Sequence, residues 1–123
     1  MADRNMKNVQ ALDYKVNVLA GSVTVATGSG GVTANNILGA SVARTGTGAF
    51  QITLQDAWPE LLAAHIIVAK ATAQDLVPQI NAVALTSKTI DFRLLTGATP
   101  TDVTTEATTL YITLVFKNST INP

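Results

Sequence analysis

A chain of 123 residues is long enough to bury one hydrophobic core and too short for two, so a single function is expected of it. Apolar residues make up 47% of the chain and charged residues only 13%, against roughly 25% charge in a typical soluble protein. Eight basic residues balance eight acidic ones and are scattered from Arg4 to Lys117, which leaves no electrostatic footprint for nucleic acid or an anionic membrane.

The missing charge is replaced by 18 Thr and 8 Asn. Such a surface is hydrated but weakly repulsive, so it does little to keep identical molecules apart and suits a protein packed against others, although some secreted β-sandwiches are equally Thr-rich. Without cysteine there is no disulfide or thiolate chemistry, and cysteine usage leaves the compartment undecided.

Residues 1–13 are polar, with sparse apolar positions at Met6, Val9 and Leu12, and read as an arm that orders on a partner; residues 14–123 read as one β domain. No apolar run follows the basic residues of the N-terminus, and Leu61 to Ala69 falls far short of the roughly 20 residues of a membrane span. A soluble protein made in the cytoplasm is expected.

From Lys15 to Val25 the β-branched content predicts a strand bent or broken at Gly21-Ser22, and Thr27 to Gly31 predicts a loop. Val42 to Leu54 is the clearest hairpin, turning at Thr45 to Gly48, with Phe50, Ile52 and Leu54 facing inward. Asp56 and Pro59 predict one short helical turn within Gln55 to Ala63. Ile66 to Ala69, Ile80 to Leu85 and Thr89 to Leu95 read as strands, the last with Ile90, Phe92 and Leu94 inward and Asp91 and Arg93 sharing the outer face. Thr96 to Asp102 is turn chemistry, and Leu110 to Lys117 is the most regular period-2 segment. The expected fold is all-β, an antiparallel β-barrel or β-sandwich of about seven strands with one helical turn.

Chemistry is poorly represented. His65 is the only imidazole and has no second His or Cys to complete a metal site, so a core or interface role is expected. No Gly-x-Ser-x-Gly elbow presents a serine to it. Asp56 with Glu60, or Asp102 with Glu106, could in principle act as paired carboxylates, but capping, loop and solvated roles account for them better. The glycines at 28–31 and 46–48 lack the spacing of phosphate cradles, and no calcium loop pattern occurs. Asn118-Ser119-Thr120 matches a glycosylation sequon, which matters only in a secretory pathway. No enzyme activity, cofactor or metal is expected. Of the six aromatics, alternation sends Phe50, Phe92 and Phe116 inward and leaves Tyr14, Trp58 and Tyr111, of which Trp58 or Tyr111 is the alternative platform for a glycan or receptor.

The segment Arg44-Thr45-Gly46-Thr47-Gly48-Ala49-Phe50-Gln51-Ile52-Thr53-Leu54-Gln55-Asp56-Ala57-Trp58-Pro59-Glu60-Leu61-Leu62 resembles small head-associated decoration, or cement, proteins of tailed bacteriophages: a glycine hairpin, an aromatic-led alternating strand and an Asp-x-aromatic-Pro turn. Tyr111-Ile112-Thr113-Leu114-Val115-Phe116-Lys117-Asn118-Ser119 is similar to their closing strand. The resemblance implies a virion protein on the capsid surface, a homotrimer bracing the major capsid protein, with no catalysis. Arg4 and Lys7 in the arm are the expected capsid contacts. A fibre or tail-tip module that binds a glycan or receptor is the alternative reading.

Overall fold

The structure is a computed structural model that describes residues 16–117. Nine strands alternate with short turns: β1 (Val16–Val25), β2 (Val32–Ile37), β3 (Ala40–Gly46), β4 (Ala49–Leu54), β5 (Glu60–Ala69), β6 (Val77–Ala84), β7 (Thr89–Thr96), β8 (Thr99–Pro100) and β9 (Thr108–Lys117). They form two antiparallel sheets. The first has the order β2-β1-β9-β5, and the second has the order β3-β4-β7-β6 with β8 paired to one end of β7. The sheets pack face to face as an open sandwich.

The period-2 segments supply the core, because alternate side chains of a strand leave on opposite faces. Phe50, Ile52 and Leu54 of β4, Ile90, Phe92 and Leu94 of β7, and Leu110, Ile112, Leu114 and Phe116 of β9 are all buried. Phe50 and Phe92 lie opposite each other in register and stack at 5.3 Å between ring centroids. On the outer face of the same sheet, Gln51 Nε2 donates to Asp91 Oδ1 at 3.0 Å. Arg93 Nε and Nη2 donate to Gln79 Oε1 at 2.9 and 2.7 Å. Asp91 and Arg93 thus share the outer face as expected, yet each pairs with an amide from a neighbouring strand.

The structure departs from several expectations. β1 runs unbroken through Gly21, because the glycine serves the approach of β2: a Cβ there would sit 2.2 Å from the Asn36 carbonyl oxygen. The helical turn expected within 55–63 is a set of bends that leads into β5 at Glu60. Pro59 keeps Trp58 out of helical angles, and the partner offered by β9 extends the strand. Two 3-10 turns fall elsewhere, at Gly28–Gly30 and Leu85–Ser87. β2 and β8 are strands that sequence periodicity passed over. The first reads Thr-Ala-Asn-Asn and is mostly exposed, and the second is two residues long.

The two long seams between the sheets differ. At the β2/β3 seam the Asn35 side chain acts as a strand would: its Nδ2 donates to the Val42 carbonyl at 3.3 Å and its Oδ1 accepts from the Val42 N–H at 2.7 Å. At the β5/β6 seam the strands do not pair, and a cleft of about 310 Å³ opens between them, lined by Ala64, His65, Ile66, Pro78 and Ile80.

Candidate functional site

The register of the first sheet creates a surface unlike the hydrogen-bonded outer face of the second. The buried run Leu110, Ile112, Leu114 and Phe116 directs Tyr111, Thr113 and Val115 of β9 outward. Across β1 the partners of these residues are Ser22, Ala20 and Val18, and across β5 they are Ile67, His65 and Ala63. Tyr111 is 55% exposed and Ile67, opposite it, is 61% exposed. Formal charge enters this three-strand face only at one end, where Glu60 and Lys117 are in register. At about 3.3 Å per residue and 4.8 Å between strands, the face spans roughly 33 by 14 Å.

Beside this face lies a groove of about 470 Å³, lined by residues 17–20, Leu38, Gly39, Asp56 and Trp58. It exists because β2 pairs with β1 only from Gly21 to Val25, which leaves the same edge of residues 16–20 without a strand neighbour among the described residues. Leu38, in the turn after β2, is 89% exposed.

Trp58 is half-buried, stacks on Phe116 at 5.4 Å and packs against the core, so it covers one end of the sandwich. Its Nε1 is buried and has no hydrogen-bond acceptor among the described residues. Trp58 therefore packs with the inward side of β9 while Tyr111 stands on the outward side, and the two cannot form one platform. Arg4 and Lys7 lie outside the described residues.

The remaining candidates have structural surroundings. His65 is exposed on β5, so it is a surface residue and not a core one. Asp56 and Glu60 are exposed. Asp102 is fully engaged: its Oδ1 accepts from Arg44 Nε at 3.1 Å and from the Gly48 N–H at 2.8 Å, and its Oδ2 accepts from Arg44 Nη2 at 2.8 Å. This hydrogen bonding from Arg44, joined by Gly48, holds the Asp102 carboxyl below the usual carboxylate range, and the same bond raises the Arg44 guanidinium. Hydrogen bonding from Thr72 lowers the Glu106 carboxyl, with the nearby Lys70 charge adding to it. The Thr72 N–H donates to Glu106 Oε1 at 3.0 Å. Asp102 ties the loop before β9 to β3, and Glu106 ties the same loop to the one between β5 and β6. Among the described residues no group of three or more His, Asp or Glu could hold a metal ion.

Sequence reasoning missed both the Arg44–Asp102 link, whose partners are 58 residues apart, and the groove at β1. Neither has a local signature, because each depends on how the sheets stack. No protein-family model matches the chain, and no curated protein or solved structure matches it either.

Proposed function

We propose that the protein is a structural component of a virion, a decoration protein that self-associates on a phage head and braces the major capsid protein beneath it. The observation that carries this reading is the outer face of the β1-β9-β5 sheet, uncharged over most of its length and bearing Tyr111 and Ile67 largely exposed. A sheet face of this kind buries apolar area on contact with little desolvated charge to offset. Repeated around a symmetric shell, modest contacts add up to a large mechanical resistance. Synthesis in the host cytoplasm, assembly as trimers and a place on the capsid surface belong to the same proposal, and no chemical step is asked of the protein.

Co-sedimentation with purified phage heads, read beside light scattering of the free protein, tests it. Binding that saturates at a fixed ratio to the capsid subunit, and that drops at least about tenfold in Ile67→Asp/Tyr111→Asp, is the expected result. Failure to sediment with any head offered, in a protein that stays monomeric, argues against it.

The exposure of Tyr111 also supports a second reading, a glycan- or receptor-binding module. In that case Tyr111→Ala abolishes binding to a glycan array while Ile67→Ala and shell binding are silent.

A further inference from the structure

We infer that the groove at the unpaired edge of β1 is the seat of an extended arm from a second copy of this chain, residues 8–12 pairing with residues 16–20. The inference rests on the self-association proposed above and names its mechanism.

The edge is a template of defined length. β2 leaves β1 at Gly21, so along residues 16–20 the backbone N–H and C=O groups that do not face β9, those of every second residue, turn toward the groove side without a strand partner among the described residues. An unpaired edge beside an apolar groove is the geometry that strand addition uses, with main-chain bonds giving affinity and side-chain pockets giving selectivity. Leu38, Leu19 and Trp58 supply the apolar walls.

The occupant is set by the chain that precedes Val16. Within residues 1–15 the charges fall at Asp3, Arg4, Lys7, Asp13 and Lys15, and they bracket one uncharged run, Asn8-Val9-Gln10-Ala11-Leu12. Its five residues match the five of the open edge. For that run to pair with β1 of its own chain, the backbone would have to reverse within Asp13-Tyr14-Lys15. The three two-residue turns between consecutive strands each place a glycine at positive φ, namely Gly39, Gly48 and Gly97, and only the longer β6–β7 connection reverses on another residue, Lys88; residues 1–15 contain no glycine. A three-residue hairpin also calls for a left-handed residue, most often glycine. Three linking residues that do not reverse can span roughly 10 Å, enough to place the run on a neighbour. Reciprocal or cyclic exchange of arms then joins copies in addition to contact through the outer face of the first sheet.

The chain has no cysteine, so single thiols report contacts cleanly. Full-length Ala11→Cys and Val18→Cys variants are mixed and treated with a short bis-maleimide. The control mixture pairs Ala11→Cys with Thr53→Cys, an exposed position on the other sheet. The expected result is a cross-linked heterodimer several-fold above control, and a dissociation constant raised about tenfold by Leu38→Asp, whose exposed position spares the fold. If the wild-type protein is oligomeric by light scattering but the heterodimer stays at the control level, the arm exchange is wrong and self-association stands on another surface. Cross-linking confined to single chains in an Ala11→Cys/Val18→Cys double variant also overturns it, in favour of pairing within the chain. A protein that remains monomeric at every concentration sinks both the exchange and the self-association beneath it.

Discussion

Asp102 shows how one side chain can join distant parts of a sandwich. It receives a two-pronged hydrogen bond from Arg44 on β3 and a third bond from the buried Gly48 N–H at the β3–β4 turn. Its carboxyl titrates below the value it has in the unfolded chain, as does that of Glu106. A depressed carboxylate stabilises the fold fully above its unfolded value, about 4, and that contribution fades as the pH falls through the lower folded value. Urea midpoints measured across the acid range should therefore fall below about pH 4, and Asp102→Asn should flatten this limb while lowering the midpoint at neutral pH. Asp102→Ala leaves the Gly48 N–H without its acceptor, at a cost of about 1 to 3 kcal/mol. Trp58 offers the opposite case. Its ring stacks on Phe116 while its buried N–H has no acceptor among the described residues. Trp58→Phe should change unfolding free energy by less than about 1 kcal/mol, because it keeps the stack and removes the stranded donor, whereas Trp58→Ala should cost about 3 kcal/mol.

Glycines govern how the strands meet, and two of them separate backbone strain from steric exclusion. Gly48 and Gly97 share a φ of 62°. A Cβ at Gly48 would lie 2.4 Å from the Thr101 backbone nitrogen, where β8 is held against the β3–β4 turn, while one at Gly97 would meet nothing within 4 Å. Gly97→Ala should cost only the left-handed penalty, about 1 to 2 kcal/mol. Gly48→Ala should exceed it by a further 1 kcal/mol or more, about the cost of forcing backbone apart, and thermal unfolding of the pair isolates that difference. The seams are also set at this scale. Asn35 stitches β2 to β3 with two bonds to Val42, whereas β5 and β6 leave a cleft between them. Nothing in either pair of strands, taken singly, distinguishes the closed seam from the open one.

At the scale of the molecule, the two outer faces have different fates. One is laced with amide and guanidinium bonds between strands, and the other is a field of small, hydroxyl and apolar side chains around His65, with formal charge only at one end. Association through such a face buries apolar surface, so its heat-capacity change is negative and it is screened little by salt. Light scattering should accordingly show an apparent mass that varies less than about twofold in association constant between low and physiological ionic strength. A steep loss of mass with added salt would instead point to charged contacts.

The alternating segments at 50–54, 89–95 and 110–117 were legible at once, because a period of two places every second side chain on the core face whatever the partner. These segments held all three core phenylalanines, and the glycine turn at 46–48 marked the hairpin. Low charge and the lack of cysteine were likewise properties of the chain alone. Tertiary structure decided the rest. β2 exists because β1 has an open edge for it, and residues 60–63 extend because β9 offers them a ladder. Trp58 turns inward because Phe116 gives it a surface to stack on. The Arg44–Asp102 link and the β1 groove arise only when two sheets are superposed. Alternation is a local rule that any strand obeys by itself, while edges, seams and grooves are relations between strands, and they come into being with the packing.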